Sequence, residues 1–316
     1  MSINIANTSF EWELLHDTPI PLGQLLGQNS VYRALQLTPF FYADPEDTVL
    51  LTEPPPKEFL EQLKSYNIPP LRWHLLKNPP DLPIESWGAS RSIAAWAHTH
   101  HLPYAHPPLS VVRAVNSKEF SFTHAPKLPG AALLHTRAEA EAWIASTPGP
   151  KVLKTRFGVS GRGHLFLPSP HTAAFLDREL PVIAEPWVPR IYDFSTQWVL
   201  SPGITYLGAT LCENDLKGRY RSNTVGALSI EHLEAHKAAA LPLLQKMLSL
   251  GYFGNVGVDA MVYLWENTPR LHPIVEINAR KTMGYVALRL QKRHFPNKTI
   301  TFSFHAGGKR HFSINV

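Results

Sequence analysis

The sequence predicts an α/β protein, with an α+β arrangement of helices and antiparallel strands in its second half. Over the first hundred or so residues, short strand-like runs alternate with helical runs, which is typical of an α/β unit. Further on, one pair of strand-like runs flanks a glycine-rich loop and another flanks a tight turn, so both pairs favour antiparallel hairpins. With 316 residues and 44% hydrophobic content, the chain is long enough for two or three domains.

The first predicted domain covers residues 1–112. Its predicted elements are a strand at 48–51, a helix at 57–66, a strand at 71–76 and a helix at 90–99. Ser90 is the residue type expected at the N-cap of the second helix. The free N–H groups of this helix start suit an anion, so Ser90 and Arg91 are candidates for binding a substrate carboxylate; an ordinary capped helix is the alternative.

A second domain is predicted over residues 113–180 and a third over residues 181–316. The second domain is expected to contain a helix from Lys118, strands at 151–155 and 164–167, and a helix at 173–178. The third is expected to contain strands at 182–185, 193–200 and 205–211, a polar loop at 213–226, a helix at 230–250 and a closing pair of strands. Most of the antiparallel strands therefore belong to the third domain.

Charge and cysteine content exclude some classes of function. The formal net charge of +5 is modest and the basic residues are scattered, so nucleic acid is not an expected partner. No uncharged stretch approaches the length that spans a membrane, and no signal-peptide pattern opens the sequence. The single cysteine, Cys212, cannot form an internal disulfide, which fits a reducing compartment. We therefore expect a cytoplasmic protein without a membrane partner.

The residues that indicate chemistry begin with the closing pair of strands. Asp259 lies in the first strand, and Glu276 and Asn278 lie in the second. A turn centred on Asn267 and Thr268 would bring Asp259 directly opposite Glu276, with β-carbons about 5 Å apart, where two negative charges repel. Carboxylate and amide oxygens are the ligands that Mg²⁺ prefers. The pattern therefore predicts a divalent-cation site formed by these side chains.

Alternation along the second strand predicts which side chains join this site, because successive side chains point to opposite faces. One face is expected to carry Glu276, Asn278 and Arg280. The other is expected to carry Val275, Ile277 and Ala279. Arg280 should therefore lie on the side of the cation, and the three apolar residues should lie on the opposite face of the strand.

A glycine-rich loop between Lys154 and Gly163 indicates phosphate binding. Glycines at 158, 161 and 163 let backbone N–H groups approach a phosphate without a clash, and Lys154 lies just before them. The order of residues matches neither a Walker loop nor a dinucleotide fingerprint, because a strand follows the loop instead of a helix. A phosphate-covering flap and a plain hairpin loop are the two interpretations, and Lys154 favours the first.

Taken together, and in this order along the chain, these residues resemble the ATP-grasp superfamily from about residue 116 to residue 293. The closest style of motif is that of its carboxylate–amine ligases, which add glutamate or form peptides. The resemblance implies an ATP-grasp fold preceded by a pre-ATP-grasp α/β domain. It implies that ATP contacts Lys118, Lys154, Gly158, Ser160, Gly161, Arg162, Gly163, the hinge residues Glu185, Trp187 and Val188, and Asp193 at the ribose. Asp259, Glu276 and Asn278 match the ligands of two Mg²⁺ ions, for which Mn²⁺ is an alternative.

The same resemblance implies catalytic residues and a reaction. Arg221-Ser222-Asn223 resembles the RSN motif of the glutamate-adding ligases, although Gly226-Ala227 stands where a glycine pair is expected. Arg221 would stabilise charge on the reacting acyl phosphate, and Asn223 and Arg280 complete the catalytic candidates.

In the implied reaction, ATP phosphorylates a carboxylate, ADP leaves, and an amine displaces phosphate to form an amide. The expected partners are small-molecule or peptide carboxylates and amines; the oligomeric state is open and a homodimer is compatible with the sequence. Two alternatives remain: transfer of the acyl group to a thiol, and a non-catalytic ATP-binding protein.

Overall fold

In the computed structural model, residues 1–16, 20–158, 163–305 and 311–316 are described, and they form three β-sheets with helices packed on them. One sheet is parallel and two are antiparallel, which confirms the predicted α/β class with an antiparallel second half. Within the described ranges, no helix is both long and apolar enough to cross a lipid bilayer.

The first sheet has four parallel strands in the order β3-β2-β1-β4. Its strands are β1 (Ile3–Ile5), β2 (Thr48–Leu51), β3 (Arg72–Leu75) and β4 (Ile84–Ser86). The accompanying helices are α1 (Phe10–Leu15), α2 (Leu22–Gly27), α3 (Ser30–Leu35), α4 (Pro39–Tyr42), α5 (Lys57–Ser65) and α6 (Arg91–Thr99). The central strands β1 and β2 are buried over their whole length, as expected where both faces of a parallel sheet are covered.

The four elements predicted for this region are confirmed. They correspond to β2, α5, β3 and α6, and their predicted ends differ from the observed ones by one residue at most. The strands β1 and β4 were not predicted. Each has only three residues, which is too short for an alternating pattern to be recognised.

Two short helices, α7 (Leu109–Val115) and α8 (Lys118–His124), lead to a second sheet with the antiparallel strand order β5-β8-β6-β7. Its elements are β5 (Ala132–Leu134), α9 (Arg137–Ser146), β6 (Lys151–Lys154), β7 (His164–Leu167), α10 (Thr172–Glu179) and β8 (Val182–Pro186). The predicted hairpin is confirmed, because β6 pairs with β7 and Lys154 faces His164. Strand β8 pairs with β5 and β6, so this sheet continues past residue 180, where a domain boundary is predicted.

The third sheet has seven antiparallel strands in the order β13-β12-β9-β10-β11-β14-β15. Its strands are β9 (Arg190–Leu200), β10 (Ile204–Asn214), β11 (Tyr220–Val225), β12 (Gly254–Trp265), β13 (Thr268–Asn278), β14 (Ile300–His305) and β15 (His311–Asn315). Helix α11 (Leu233–Ser249) packs Leu244 and Met247 against Trp198 and Val258 on one face. Helix α12 (Met283–His294) packs against the other face, around Phe302.

The first and third sheets share a hydrophobic core. Phe41 and Phe59 from the N-terminal region form edge-on and tilted ring contacts with Phe312 and, for Phe41, with Phe302. Ion pairs surround this core, and each joins a basic residue after β13 to an acidic residue of the first region. The pairs are Arg280 with Glu11, Lys281 with Glu85 at 3.2 Å, Arg289 with Asp44 at 2.8 Å, and Arg293 with Asp44.

The hairpin of β12 and β13 has the predicted pair but not the predicted turn. Asp259 lies opposite Glu276, as expected. The two turn residues are Glu266 and Asn267, with φ of 50° and 60°, so the prediction that Asn267 and Thr268 form the centre of the turn is wrong. A register shift between Asp259 and Met261 adds residues on the β13 side and restores the pairing of the two carboxylates.

Candidate functional site

A cavity of about 190 Å³ lies between the second and third sheets, beside the first turn of α12. Lys154 and His164 come from the second sheet, and Lys118 comes from the start of α8. The third sheet and the segment after it supply most of the wall: Arg190, Asp193, Ser195, Gln197, Cys212, Asn214, Tyr220, Asn223, Asp259, Glu276, Asn278, Arg280, Thr282, Met283 and Gly284. Eight of the fourteen sequence-predicted site residues that the structure describes therefore line this cavity.

Strand register explains this convergence. In one row across the sheet, Thr210 pairs with Ser195, which pairs with Asp259, which pairs with Glu276. In the row two residues away on β9, Gln197 pairs with Gly257, which pairs with Asn278. Because alternate residues of a strand share a face, these rows project onto one side of the sheet.

Close packing seats Gln197 at the floor of the cavity. Its Oε1 accepts a hydrogen bond from Thr282 Oγ1 at 2.7 Å, and its Nε2 donates to Ser195 Oγ at 2.9 Å. A β-carbon at Gly284 would lie 2.8 Å from Gln197 Nε2, and one at Gly257 would lie 2.7 Å from Thr282 Cγ2. Glycine is therefore required at both positions for α12 to approach the sheet.

Asp259, Glu276 and Asn278 lie together in the cavity wall, where the sequence predicts a cation site. Asn278 Nδ2 donates to Asp259 Oδ2 at 2.9 Å, and Asn278 Oδ1 accepts from Arg280 Nη2 at 2.9 Å. Burial, followed by the nearby charge of Glu276, raises the pKa of Asp259 to about 6. Two carboxylates and an amide offer the oxygen ligands that a hard divalent cation prefers. Among the described residues, no group of three His, Cys, Asp or Glu side chains could hold a metal ion, so the amide is needed as the third donor.

Two lysines that line the cavity form ion pairs with carboxylates. Lys118 forms an ion pair with Glu276 and lies 3.5 Å from the carbonyl oxygen of Gly158, and Lys154 forms an ion pair with Glu185. Burial alone would raise the pKa of each carboxyl group, yet the adjacent lysine lowers it below its usual value. Both lysines are therefore held by carboxylates at the positions where the sequence predicts phosphate contacts.

The hinge and ribose candidates are distributed over the end of β8 and the start of β9. Asp193 lines the cavity and is held by Arg190 Nη1 at 3.1 Å and Asn214 Nδ2 at 2.9 Å. Trp187 lies under the guanidinium of Arg190, 4.9 Å from the ring centre, and its backbone N–H donates to Pro150. Val188 is buried in an apolar cluster. Neither Trp187 nor Val188 lines the cavity, so their predicted contacts with adenine stay a prediction.

The RSN motif lies on β11 and divides between the two sides of the strand. Asn223 lines the cavity, while Ser222 donates to Glu213 at 3.0 Å away from it. Arg221 is exposed and is not one of the residues lining the cavity. Its predicted role at the acyl phosphate therefore stays a prediction. Arg280 lines the cavity, where it donates a hydrogen bond to Asn278 Oδ1 and forms an ion pair with Glu11.

The glycine-rich loop is described only at its two ends. Gly158 lies beside Lys118, and Gly163 adopts a φ of +82° at the start of β7. A β-carbon at Gly163 would lie 2.2 Å from Thr155 Oγ1, so the turn into β7 requires glycine. Ser160, Gly161 and Arg162 lie outside the described residues, and their predicted phosphate contacts remain expectations.

Several residues of the cavity were missed from the sequence. Ser195 and Gln197 share the face of Asp193 by simple alternation on β9, so the strand pattern could have predicted them. His164 faces Lys154 across the hairpin; burial, followed by the charges of Lys154 and Lys118, lowers its pKa to about 3. The position of Val275 differs from the prediction, because the register shift brings it to the cavity while Ile277 and Ala279 stay in the core.

The start of α6 does not offer a free anion site. Ser92 donates from its backbone N–H and its hydroxyl to the carboxylate of Glu13, at 3.0 and 2.7 Å. Burial raises the pKa of Glu13. A carboxylate of the same chain therefore occupies the position at which Ser90 and Arg91 are predicted to bind a substrate carboxylate.

Comparison with known proteins gives matches in structure only. No protein-family sequence model and no curated protein sequence matches the chain. N5-carboxyaminoimidazole synthetase from Staphylococcus aureus, solved with ADP, is similar with a TM-score of 0.53 at 13% identity, over 96% of this chain and 82% of that one. N5-carboxyaminoimidazole ribonucleotide synthetase from Thermus thermophilus gives 0.51 at 17% identity, over 97% and 84%. Rhizobium etli pyruvate carboxylase gives 0.54 at 15% identity, over 92% of this chain and 27% of that one.

The two synthetases are ATP-grasp enzymes, and the similarity to them extends over nearly the whole chain, including the N-terminal sheet. At 13% and 17% identity the comparison concerns the fold and not the reaction. The order of the motifs along the sequence led to the same fold, which the structural similarity confirms. The protein therefore has the ATP-grasp fold, with an α/β region of four parallel strands before it.

Proposed function

We propose that the protein is a Mg²⁺-dependent ligase that uses ATP to join a carboxylate to an amine through an acyl phosphate, releasing ADP and phosphate. The observation that carries the proposal is the meeting of Asp259, Glu276, Lys118 and Lys154 around one cavity. A carboxylate and a triphosphate repel each other, so a reaction between them requires fixed positive charges and oxygen ligands for a divalent cation. This cavity offers both.

ATP is the proposed phosphoryl donor. Lys154 and Asp193 both line the cavity, which supports a nucleotide whose phosphates lie near the lysine and whose ribose lies near the carboxylate. The structure of the Staphylococcus aureus neighbour contains ADP. Arg190 and Asn214 already fix the Asp193 carboxylate, so it can accept hydrogen bonds from ribose hydroxyls without reorganising.

The lysines and the acidic residues are expected to exchange partners when nucleotide binds. Lys118 would turn from Glu276 to phosphate, and Arg280 would release the amide oxygen of Asn278. Asp259, Glu276 and Asn278 would then be free to hold Mg²⁺, which when bound neutralises charge on the phosphates. All of these residues already line the cavity.

The carboxylate substrate is expected near Arg280 and the first turn of α12. Met283 and Gly284 line the cavity there, and the N-terminal end of a helix carries a partial positive charge. A carboxylate oxygen attacks the γ-phosphorus, and the bond from that phosphorus to ADP breaks. The amine nitrogen then attacks the acyl carbon, the bond to phosphate breaks, and the proton of the amine passes to water.

The proposal is tested by nucleotide chromatography with product mass spectrometry. Purified protein is incubated with MgATP and pooled amino acids and dipeptides. Bicarbonate is included as an additional oxyanion that ATP could phosphorylate, with a carbamate as the product, because two of the similar proteins are named as synthetases of carboxyamino compounds. We expect ADP that depends on a substrate pool, together with a new amide mass.

Other outcomes would overturn the proposal in distinct ways. Formation of AMP would contradict an acyl-phosphate intermediate. ADP formation that requires a thiol, with a thioester product, would assign a different acceptor. Binding of ATP without any turnover on these pools would favour a non-catalytic ATP-binding protein.

A further inference from the structure

The backbone around Arg280 is fixed to parts of the chain that are distant in sequence. Arg280 lies in the short segment between the end of β13 and the start of α12. On one side of it, the N–H of Ala279 donates to Asn116 Oδ1 at 2.9 Å. On the other side, the N–H of Lys281 donates to the carbonyl of Trp87 at 2.8 Å. The direction of the Arg280 side chain is therefore decided by the contacts of its guanidinium.

Three groups within the described residues contact this guanidinium. Its Nε forms an ion pair with the carboxylate of Glu11 on α1, its Nη1 donates to the carbonyl of Lys281 at 3.1 Å, and its Nη2 donates to Asn278 Oδ1 at 2.9 Å. A guanidinium has five N–H groups and can only donate, so the direction of these three contacts is not ambiguous. Two N–H groups are left over by the three contacts, on a side chain that lines the cavity.

The three contacts differ in what they can hold when substrates bind. The contact with Asn278 is the one that the proposed reaction removes, because Asn278 Oδ1 is then expected to bind Mg²⁺. The carbonyl of Lys281 belongs to the adjacent residue, so it cannot fix the guanidinium relative to the other walls of the site. Glu11 comes from a distant element and is not one of the proposed metal ligands. Of the three partners, it is therefore the one that can hold Arg280 throughout the reaction.

The ion pair of Glu11 and Arg280 is shielded and lies beside the site. The side chains of Arg280 and Glu11 are only 13% and 15% exposed, so water screens their attraction less than it screens a surface pair. A narrow second cavity is lined by Glu11 and shares Glu276, Asn278 and Arg280 with the larger cavity. Glu11 does not line the larger cavity itself. Arg280 therefore faces the proposed substrates, whereas its partner does not.

We infer that Glu11 is a positioning residue that holds the guanidinium of Arg280 toward the carboxylate substrate. This role rests on the proposed ligase activity, in which the carboxylate binds near Arg280. Glu11 then acts only through Arg280, and the N-terminal α/β region contributes to the active site through this ion pair. The loss of Glu11 should impair use of the carboxylate more than use of ATP, because ATP is proposed to bind other side chains, among them Lys154 and Asp193.

The test measures steady-state ADP release while the carboxylate and MgATP are varied in turn, each with the other substrates saturating. The carboxylate is the compound of the pooled assay whose carboxyl or bicarbonate carbon forms the new bond to nitrogen. We expect Glu11→Gln to lower kcat/KM for this compound about tenfold or more, which corresponds to about 1.4 kcal/mol. The KM for ATP should change less than about twofold. Glu11→Asp keeps the negative charge and should recover part of the loss.

Glu85→Gln is the matched control. Glu85 also belongs to the N-terminal α/β region, and it pairs at 3.2 Å with Lys281, the residue after Arg280, but it lines neither cavity. This variant should keep kcat/KM for the carboxylate within about twofold of the wild type. Unfolding midpoints of Glu11→Gln and Glu85→Gln show whether either variant has lost structure.

A double-mutant cycle tests whether Glu11 acts through Arg280. Arg280→Gln should lower kcat/KM for the carboxylate more than Glu11→Gln does. Once Arg280→Gln is present, the further change Glu11→Gln should alter kcat/KM less than about twofold, because the effects of residues that act through one contact do not add. Two losses that multiply would show that Glu11 acts independently of Arg280, and would overturn the positioning role.

Other results separate this role from the ligase activity. Unchanged kcat/KM in Glu11→Gln, or a lower KM for the carboxylate, would overturn the role of Glu11 and leave the ligase activity standing. An equal loss of kcat/KM in Glu85→Gln would do the same, because the effect would then belong to any ion pair of this region. Absence of ADP from the wild-type protein on every pool would overturn both proposals.

Discussion

The two faces of the seven-stranded third sheet differ in how completely their polar side chains are hydrogen-bonded, although both faces include residues of β9. On the packed face of β9, Thr196 contacts His236 Nε2 at 2.6 Å and accepts from Trp198 Nε1 at 2.8 Å, and His236 Nδ1 donates to the carbonyl of Pro273 at 2.6 Å. Because that carbonyl can only accept, the proton lies on Nδ1 and Nε2 is the acceptor. Each of these groups has a partner within the protein.

On the cavity face of the same sheet, some polar groups lack a hydrogen-bond partner, and others pair with residues that the proposed function assigns to ligand binding. Asp259 faces Glu276, Lys118 is paired with a predicted metal ligand, and Asn223 Oδ1 has no partner within the described part of the chain. Polar networks that close on themselves stabilise a fold, whereas incomplete ones need a ligand. Variants on the two faces should therefore separate activity from stability.

The largest effect is expected on the cavity face. Glu276→Gln should lower turnover at least about 100-fold, because the substitution removes one of the two carboxylates that would hold the cation and fix the charge balance with Lys118. Its unfolding midpoint should stay near that of the wild type. Glu213→Gln, a carboxylate of β10 that does not line the cavity, serves as the control. ADP production at the wild-type rate by well-folded Glu276→Gln would refute the cation site.

Substitutions on the packed face should lower the free energy of unfolding rather than the turnover. His236→Leu leaves Thr196 and the Pro273 carbonyl without their partner, which should lower the free energy of unfolding by about 2–4 kcal/mol. His236→Asn can keep the donor of Nδ1 and His236→Gln can keep the acceptor of Nε2, so each should recover part of the loss. Denaturant titration measures all three. If His236→Leu were as stable as the wild type, the closed network would have no stabilising role.

Because two histidines are buried, we expect the free energy of unfolding to fall as the pH is lowered. Burial, the largest cause, lowers the pKa of His272 from 6.5 to about 4, and it also lowers the pKa of His236. Their folded pKa values lie below the unfolded value, so the unfolded chain binds more protons. The contribution of His272 is complete above pH 6.5 and falls as pH decreases toward 4, by up to about 1.4 kcal/mol per pH unit. The contribution of His236 falls in the same direction.

The measurement is the free energy of unfolding between pH 7 and pH 5. His272→Gln should flatten its dependence on pH, whereas His98→Gln, at an exposed position of α6, should leave it unchanged. An identical slope for His272→Gln and the wild type would contradict this assignment.

The smallest effect on the free energy of unfolding is expected on the solvent-exposed surface of α11, away from both faces of the sheet. Glu234 and Lys237 form an exposed ion pair of 2.9 Å on α11, one turn or less from His236. Glu234→Gln should change the free energy of unfolding by about 0.5 kcal/mol or less, because solvent screens surface pairs. Since it lies on the same helix as His236, it is the baseline for the His236 variants. A loss comparable to that of His236→Leu would mean that α11 is sensitive to any substitution.

The sequence by itself determined the elements that carry a clear period and the order of the motifs. The two strand-like runs on either side of Asn267 were enough to predict the β12–β13 hairpin, and the spacing of Lys154 and the glycines was enough to predict the β6–β7 hairpin. These features depend on contacts between near neighbours in the chain. The fold followed from them, because the motifs occur in the order that the ATP-grasp resemblance requires.

Only the tertiary structure decided which polar groups meet across the cavity. The register shift after Asp259, the pairing of Glu11 with Arg280 and the contact of Thr210 with Asn223 depend on strands and helices that are far apart in the sequence. The helix start at Ser90 illustrates the difference: its residue types suit an anion, yet the fold brings Glu13 to it. Local patterns encode the type of each element, whereas the partner of a buried polar group is set by packing between distant elements.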